Sequence, residues 1–429
     1  MSRGFDRSSG RVRTIALVAL LAVAVGVFVQ GFRARMGSDR EVVVAGTEAC
    51  AVVEAPAGPE DLEIDPLTGL AWISAVDRRT EGATGDLWVL DLTAGDGRPQ
   101  RVDRDGPADF RPHGLSLART EAGLFAWVVN HPAGRHTLEA FELTVTEAGL
   151  RARHLTTVAS PALVSPNDVA AIDAERFYVS NDHGTPAGFA RLMEDLLGLN
   201  LANVLYFDGA RFVEAVGGLS YANGVALAQG GAELVVAEVF RRGITFHDRE
   251  PMSGRVQGHL LVDLDSGVDN ISVAPDGSFW IAAHPRLLDF AAHASDPAVP
   301  SATEVFRVRR TEGGATADRV LVDDGRRLPG GSVAAPWRDQ LLVAGVFEPR
   351  LLRCRLPAEF AVAVAPPVIE PAVGNDAVTD AAQEAVTDVE TFVETFVETF
   401  VETDADATVV PEAAPAATPV PEAIEDGTP

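Results

Sequence analysis

Six short polar pairs recur through the middle of this 429-residue chain: Glu60-Asp61, His113-Gly114, Asn167-Asp168, Asn223-Gly224, Asp269-Asn270 and Gly331-Ser332. Together they offer carboxylates and amides but no thiolates, a hard oxygen set that suits Ca2+ with its six to eight ligands rather than zinc. Carboxylates gathered this densely repel one another unless a cation lies among them. Asn beside Asp lowers the ligand charge while keeping the oxygen count. A single Asn-Asp or Asn-Gly pair is ordinary turn chemistry, whereas five in phase point to one site.

The second pair departs from the pattern by carrying His113, and the same repeat unit ends a strand in Asn130-His131-Pro132. Two histidines at the ends of neighbouring strands, facing a metal-binding mouth, are candidates for acid-base work near neutral pH. His183 and His284 end the same kind of strand in other units and are candidate pocket residues. The remaining five, His136, His154, His247, His259 and His293, receive no role on this pattern.

Each polar pair opens a short alternating run, and each run is followed by an apolar, β-rich one: LAWISAV from Leu70, LFAWVVN from Leu124, RFYVSND from Arg176, ELVVAEVF from Glu233, SFWIAAH from Ser278 and QLLVAGVF from Gln340. Second members of the pairs are 53, 54, 56, 46 and 62 residues apart. Strand-rich repeats of this length, punctuated by Gly, Pro and Asp, predict a six-bladed β-propeller, all-β, whose inner strands bring the pairs to one end of a central channel. An unclosed ring would expose two sheet edges. Cys50 just before the first unit and Cys354 just after the sixth would staple the ends in an oxidising compartment, stabilising by about 5 kcal/mol on loop-closure arithmetic. Two unpaired thiols are the alternative.

The two ends differ from the body. Residues 1–40 carry seven Arg against two Asp, residues 366–429 carry 15 acids and no base, and the middle holds the remaining -17 of a net charge of -27. All 35 basic residues are Arg. A field of that sign disfavours nucleic acid as a partner. A basic segment over 1–13 precedes the uncharged run 14–32, long enough to span about 28 Å as a helix, which predicts an uncleaved signal anchor with the N-terminus cytoplasmic and the body exported. A linker over 33–46 leads to the propeller over 47–360. The acidic Pro/Ala/Glu-rich tail, 361–429, predicts disorder. Its tandem Thr-Phe-Val-Glu repeat, Thr391 to Glu402, reads as repeat slippage in a solvated tail, with a short amphipathic partner-binding helix as the other reading and its partner unknown.

Over Cys50 to Leu356 the chain resembles the paraoxonase and arylesterase family of calcium-dependent lactonases. The segments GPEDLEID, RPHGLSL, VVNHPAG, SPNDVAAID, VSNDHG, YANGVAL, VDNISVAPDG and AAHP carry the resemblance. It implies a six-bladed propeller with two calcium ions in its channel and a disulfide joining its ends. By matching position, Glu60, Asn167, Asn223, Asp269 and Asn270 are similar to the ligands of the catalytic calcium. Asp61, Asp168 and the carbonyl of Leu115 are similar to those of a structural calcium. His113 matches the base that activates water and His131 its support. Tyr221, His183, His284 and Phe347 fall in the substrate pocket, with Tyr221 standing where the family usually has Phe. The Leu-rich stretch 188–201 borders the pocket or touches membrane.

The expected activity is therefore calcium-dependent hydrolysis of small-molecule lactones and aryl esters. Two other readings stand beside it. One is a gluconolactonase-like metal-dependent hydrolase. The other is a non-catalytic, membrane-anchored propeller that uses calcium for structure alone.

Overall fold

The computed structural model describes residues 7–363 except positions 96, 147–148 and 229; the Thr-Phe-Val-Glu repeat and the rest of the tail lie outside the described residues. Among the described residues the strands form six sheets, five of four strands and one of five. The inner strands are Asp61–Asp65, Pro112–Thr120, Pro166–Ala171, Ala222–Leu227, Gly267–Val273 and Gly331–Trp337. Each touches the inner strand of the next sheet and the last touches the first, so the ring closes as the repeat spacing predicts.

The apolar runs singled out above form the second strands, Leu70–Ala75, Gly123–Asn130, Phe177–Asn181, Glu233–Glu238, Phe279–His284 and Gln340–Gly345. They are buried on both faces because a blade is sandwiched between two others, which is why they read as continuous β-branched and aromatic runs rather than as alternation. The core is divided into one cluster per blade interface. Trp72 meets Phe110 and Phe141 between blades 1 and 2, and Trp127 meets Phe177 between blades 2 and 3. Trp280 packs with Leu341 and Leu352 between blades 5 and 6. Truncating one of these buried tryptophans to Ala would cost about 3–5 kcal/mol.

Closure comes first from strand pairing. Cys50–Glu54 lies antiparallel against Arg350–Arg355 and completes blade 6 with a strand from the other end of the body. Cys50 sits opposite Cys354 in that ladder and is bonded to it. The staple thus joins two neighbouring strands of one blade.

The N-terminal helix α1, Arg7–Arg35, contains one stretch, Ile15–Arg35, long and apolar enough to cross a membrane. The segment after it packs on the body. Met36 is buried against Val239 and Leu287, with Phe32, Tyr221 and Phe240 around it. Arg40 bonds Asp265 and Glu304 at 2.6 and 2.8 Å, and Ala45 bridges Val322. At the other end of the body Val362 is buried beside Leu356 and Phe360.

Candidate active site at the helix-bearing end of the channel

Strict alternation along a strand would turn only one member of each polar pair toward the channel. The ladders avoid this by slipping register at the pairs: between Pro112 and Leu115, Pro166 and Val169, Ala222 and Val225, Val268 and Ile271, and Gly331 and Val333. The pairs sit in bulges, which release both members from alternation. In blade 1 the strand begins at Asp61, leaving Glu60 outside the ladder.

Neighbouring blades approach closely here. A Cβ on Gly114 would stand 2.5 Å from the Cα of Asp168, and one on Gly224 would stand 2.6 Å from the Asp269 carbonyl. Serines on neighbouring strands hold the carbonyls of the pairs. Ser180 donates to Asn223 at 2.6 Å, Ser332 to Glu60 at 2.5 Å and Ser74 to His113.

The result is a buried oxygen set with unmet valence. Asn270 Nδ2 donates to Glu60 Oε1 at 3.0 Å, yet Asn270 Oδ1, Asn167 Oδ1, Asn223 Oδ1 and Glu60 Oε2 have no hydrogen-bond partner. Each such oxygen costs about 1–3 kcal/mol. Four on the five residues matched to one ion are an arrangement that a hard cation satisfies, so the residues present fit calcium. Among the described residues no three His, Cys, Asp or Glu side chains form a metal cluster by themselves; here the amide oxygens make up the set. Below it, Asp61 and Asp168 line a cavity of about 110 Å³ together with Leu115, Val225 and Ile271. Burial, then mutual charge, pushes the Asp61 carboxyl well above its usual range, and burial does the same to Asp168. Two buried acids that resist ionising side by side also fit a divalent ion between them.

His113 and His131 are brought together as expected, with Nδ1 of the first 2.9 Å from Nε2 of the second. The other ring nitrogen of His113 faces Glu60 Oε1 at 3.6 Å. Burial works to raise the Glu60 pKa, but His113, then Arg78 and Asn270, outweigh it and hold it down to about 2. Burial keeps His131 well below the usual histidine range.

The expected pocket residues form two aromatic strings. His284 binds Asp269 at 2.7 Å and stacks on Phe290 at 3.9 Å, and Phe290 reaches Phe347 at 5.9 Å. His183 packs 4.6 Å from Tyr221, which packs 5.2 Å from Phe240. Tyr221 holds a left-handed backbone, φ 59, immediately before the Asn223 bulge. His183 is pinned between Asp182 and Asp195 at 2.6 and 2.8 Å, and these bonds overcome burial to push its pKa up to about 9.

Three groups were not anticipated. Arg78 lies 3.7 Å from Glu60 and donates to the carbonyls of Gly58 and Pro112. Arg79 lies over Phe347 and bonds Glu348. His136 touches His131, with their Nδ1 atoms 2.8 Å apart. Arg78, like His131, comes just after the end of a second strand, and that shared place is the signal that would have found it.

The opposite mouth has another character. A recess of about 270 Å³ is lined there by Glu63, Arg119, Trp337 and aliphatic side chains, and its lining contains no histidine. Helices α2, Phe189–Leu197, and α3, Leu287–Ser295, instead succeed the second strands of blades 3 and 5 at the polar-pair end.

The chain is similar over most of its length to two curated proteins. Serum paraoxonase/arylesterase 2 of Gallus gallus is 30% identical over 363 residues, covering 81% of this chain and all of that protein. Serum paraoxonase/arylesterase 1 of Homo sapiens is 29% identical over 360 residues, covering 79% of this chain and 99% of that protein. The Arylesterase family model matches residues 41–356, which takes in every blade, both cysteines and all six polar pairs. The chain belongs to the arylesterase family.

Proposed function

We propose that this protein is a calcium-dependent hydrolase of lactones and aryl esters, acting at the polar-pair end of the channel. The observation that carries the reading is the pairing of partnerless buried oxygens on Glu60, Asn167, Asn223 and Asn270 with the His113–His131 contact beside them. Glu60, Asn167, Asn223, Asp269 and Asn270 would hold one calcium ion, whose charge would stabilise the negative charge developing on the substrate carbonyl oxygen. Asp61, Asp168 and Leu115 would hold a second, structural ion.

The chain supplies the proton chemistry. His113 keeps one nitrogen toward the channel and offers the other to His131, so its ring is oriented and can take a proton from water. Calcium acidifies water far less than zinc does, and a separate base is therefore required. The stack of His284, Phe290 and Phe347 on one side and Tyr221 with His183 on the other offers apolar walls for the ring or acyl chain of a substrate. Helix α1 would act as an uncleaved signal anchor with the propeller on the exported side, a placement supported by the Arg cluster that precedes its apolar stretch and by the disulfide.

The test is hydrolysis of γ- and δ-lactones and phenyl acetate by the full chain in detergent, with calcium and then with excess chelator. Turnover that requires calcium, and that falls about 100-fold or more in His113→Gln while calcium still binds, is the expected result. Calcium stabilisation without turnover of any substrate would place the protein among non-catalytic propellers.

A further inference from the structure

His131 is the middle of three histidines. Its Nε2 meets His113 Nδ1 at 2.9 Å and its Nδ1 meets His136 Nδ1 at 2.8 Å. The rings stand edge to face at 5.1 and 5.0 Å between centroids. His136 is half-buried and lines a surface recess with Gly134, Arg135, Ala159, Ser160, Pro161 and Leu163. The string therefore begins at Glu60 in the channel and ends at the outside of blade 2.

Each contact between neutral imidazoles holds one proton, so one tautomer fixes the next. A base at His113 Nε2 needs the proton on Nδ1. His131 must then accept at Nε2 and donate from Nδ1, and His136 accepts at Nδ1 and keeps its own proton on Nε2. We infer that His136 is the outer member of a three-histidine relay that carries the proton released by hydrolysis from the channel to the surface recess. The inference rests on the hydrolase reading above.

The balance is closed. Water adds its hydroxyl to the carbonyl carbon, the acyl C–O bond breaks, and the products are an alcohol and an acid that ionises near neutral pH, so one proton leaves per turnover. As His113 Nε2 gains a proton, its Nδ1 proton passes to His131 Nε2, the His131 Nδ1 proton passes to His136 Nδ1, and the His136 Nε2 proton departs to solvent. The second hydrogen of the attacking water goes to the leaving alkoxide, the acid product is left as carboxylate, and the rings return to their starting tautomers by reorientation.

The groups facing the string favour transit over storage. Burial, then the neighbouring His113 and His136 and Arg78, disfavours charge on His131. Burial and Arg191 disfavour it on His136, with Asp182 opposing them. His136 touches neither substrate position nor ligand set, so it acts through His131.

A rival role, orientation of the His131 ring, is separable. Glutamine at 136 can still accept from His131 Nδ1 but cannot pass a proton on, and phenylalanine can do neither. In the full calcium-loaded chain and dilute buffer, H136Q and H136F are both expected to lower kcat about 10-fold or more, with KM and calcium affinity unchanged. Added imidazole should restore most of it. Wild-type kcat in H136Q at low buffer, or a loss that imidazole fails to repair, overturns the relay while the hydrolase stands. Absence of turnover in the wild-type chain overturns the hydrolase reading and the relay with it.

Discussion

Asp61 and Asp168, 107 residues apart and two blades apart, are held by the same two bonds. Each accepts from the amide of the next residue, Leu62 or Val169, at 2.8 and 2.7 Å. Each also accepts from an amide of the next blade, Leu115 or Val225, at 2.6 and 2.8 Å. The bonds fix both carboxylates in place, but burial and charge oppose ionising them together. Glu63, one step deeper, is pushed up to about 7, chiefly by burial.

These shifts set a pH dependence for the calcium-free protein. A carboxyl whose folded pKa is raised binds more protons folded than unfolded, so its contribution is present below the unfolded value and is lost as pH rises toward the folded one. For Glu63 that window runs from about 4.5 to about 7. The chelated chain should therefore lose stability between these limits, by about 1.4 kcal/mol per pH unit for each such group. Calcium should flatten the slope. Thermal melts across pH 4.5 to 8, with calcium and with chelator, measure it; a chelated chain that stabilises as pH rises would count against the site.

The glycines of the second and fourth pairs should resist the smallest substitution. Neither Gly114 nor Gly224 has a positive φ, so strain is not the cause; the clash with the backbone of the next blade is. Gly114→Ala and Gly224→Ala are each expected to cost about 1–3 kcal/mol and to weaken calcium binding, because the neighbouring pair must move. Calcium titration with melting measures both effects.

The ring was legible because blade sandwiching writes itself as six repeated apolar runs, one per blade, and the gathering of polar residues was legible because the pairs recur once per repeat. The bulges were not, since a register slip leaves no mark in residue type. His136 was passed over for a related reason: four residues of loop separate it from His131, and only the fold of Pro132 to Arg135 brings the rings together. Docking of residues 36–46 was hidden by the apolar run before it, which reads as an anchor whether or not its end packs on the body. Strand closure by Cys50–Glu54 was hidden too, because a five-residue edge strand carries little pattern.

His183 offers a second pH signature, of the same sign but in a higher window. Its folded pKa of about 9 exceeds the unfolded value, so the stability it contributes is complete below about 6.5 and is lost as pH rises through 9. His183→Gln should cost about 2 kcal/mol near pH 6, since Asp182 and Asp195 lose a charged donor, and the difference from wild type should shrink above pH 9. Denaturant melts of the two proteins at pH 6, 8 and 10 give the comparison. A difference that does not change with pH would mean the ring contributes by packing on Tyr221 rather than by charge.

The end of α1 should act on α2 through a single side chain. Arg35 donates to the carbonyls of Asp195 and Leu196 at 3.1 and 2.8 Å, groups in the last turn of a helix, where the i+4 amide is missing and Asp195 is otherwise met only by the Gly198 amide at 3.3 Å. Gly198 then turns left-handed at φ 62, and a Cβ there would run into the Arg35 guanidinium. Lysine cannot reach both carbonyls with a planar fork. Arg35→Lys should therefore loosen α2 partly and Arg35→Ala more, raising amide exchange over 189–197 about 10-fold in the latter while the blades keep their protection. Since α2 carries Asp195, the partner of His183, the same variants should shift the His183 titration downward. Exchange over 189–197 that does not respond to Arg35→Ala would show that Met36 in its apolar socket holds this end of α1 without the arginine.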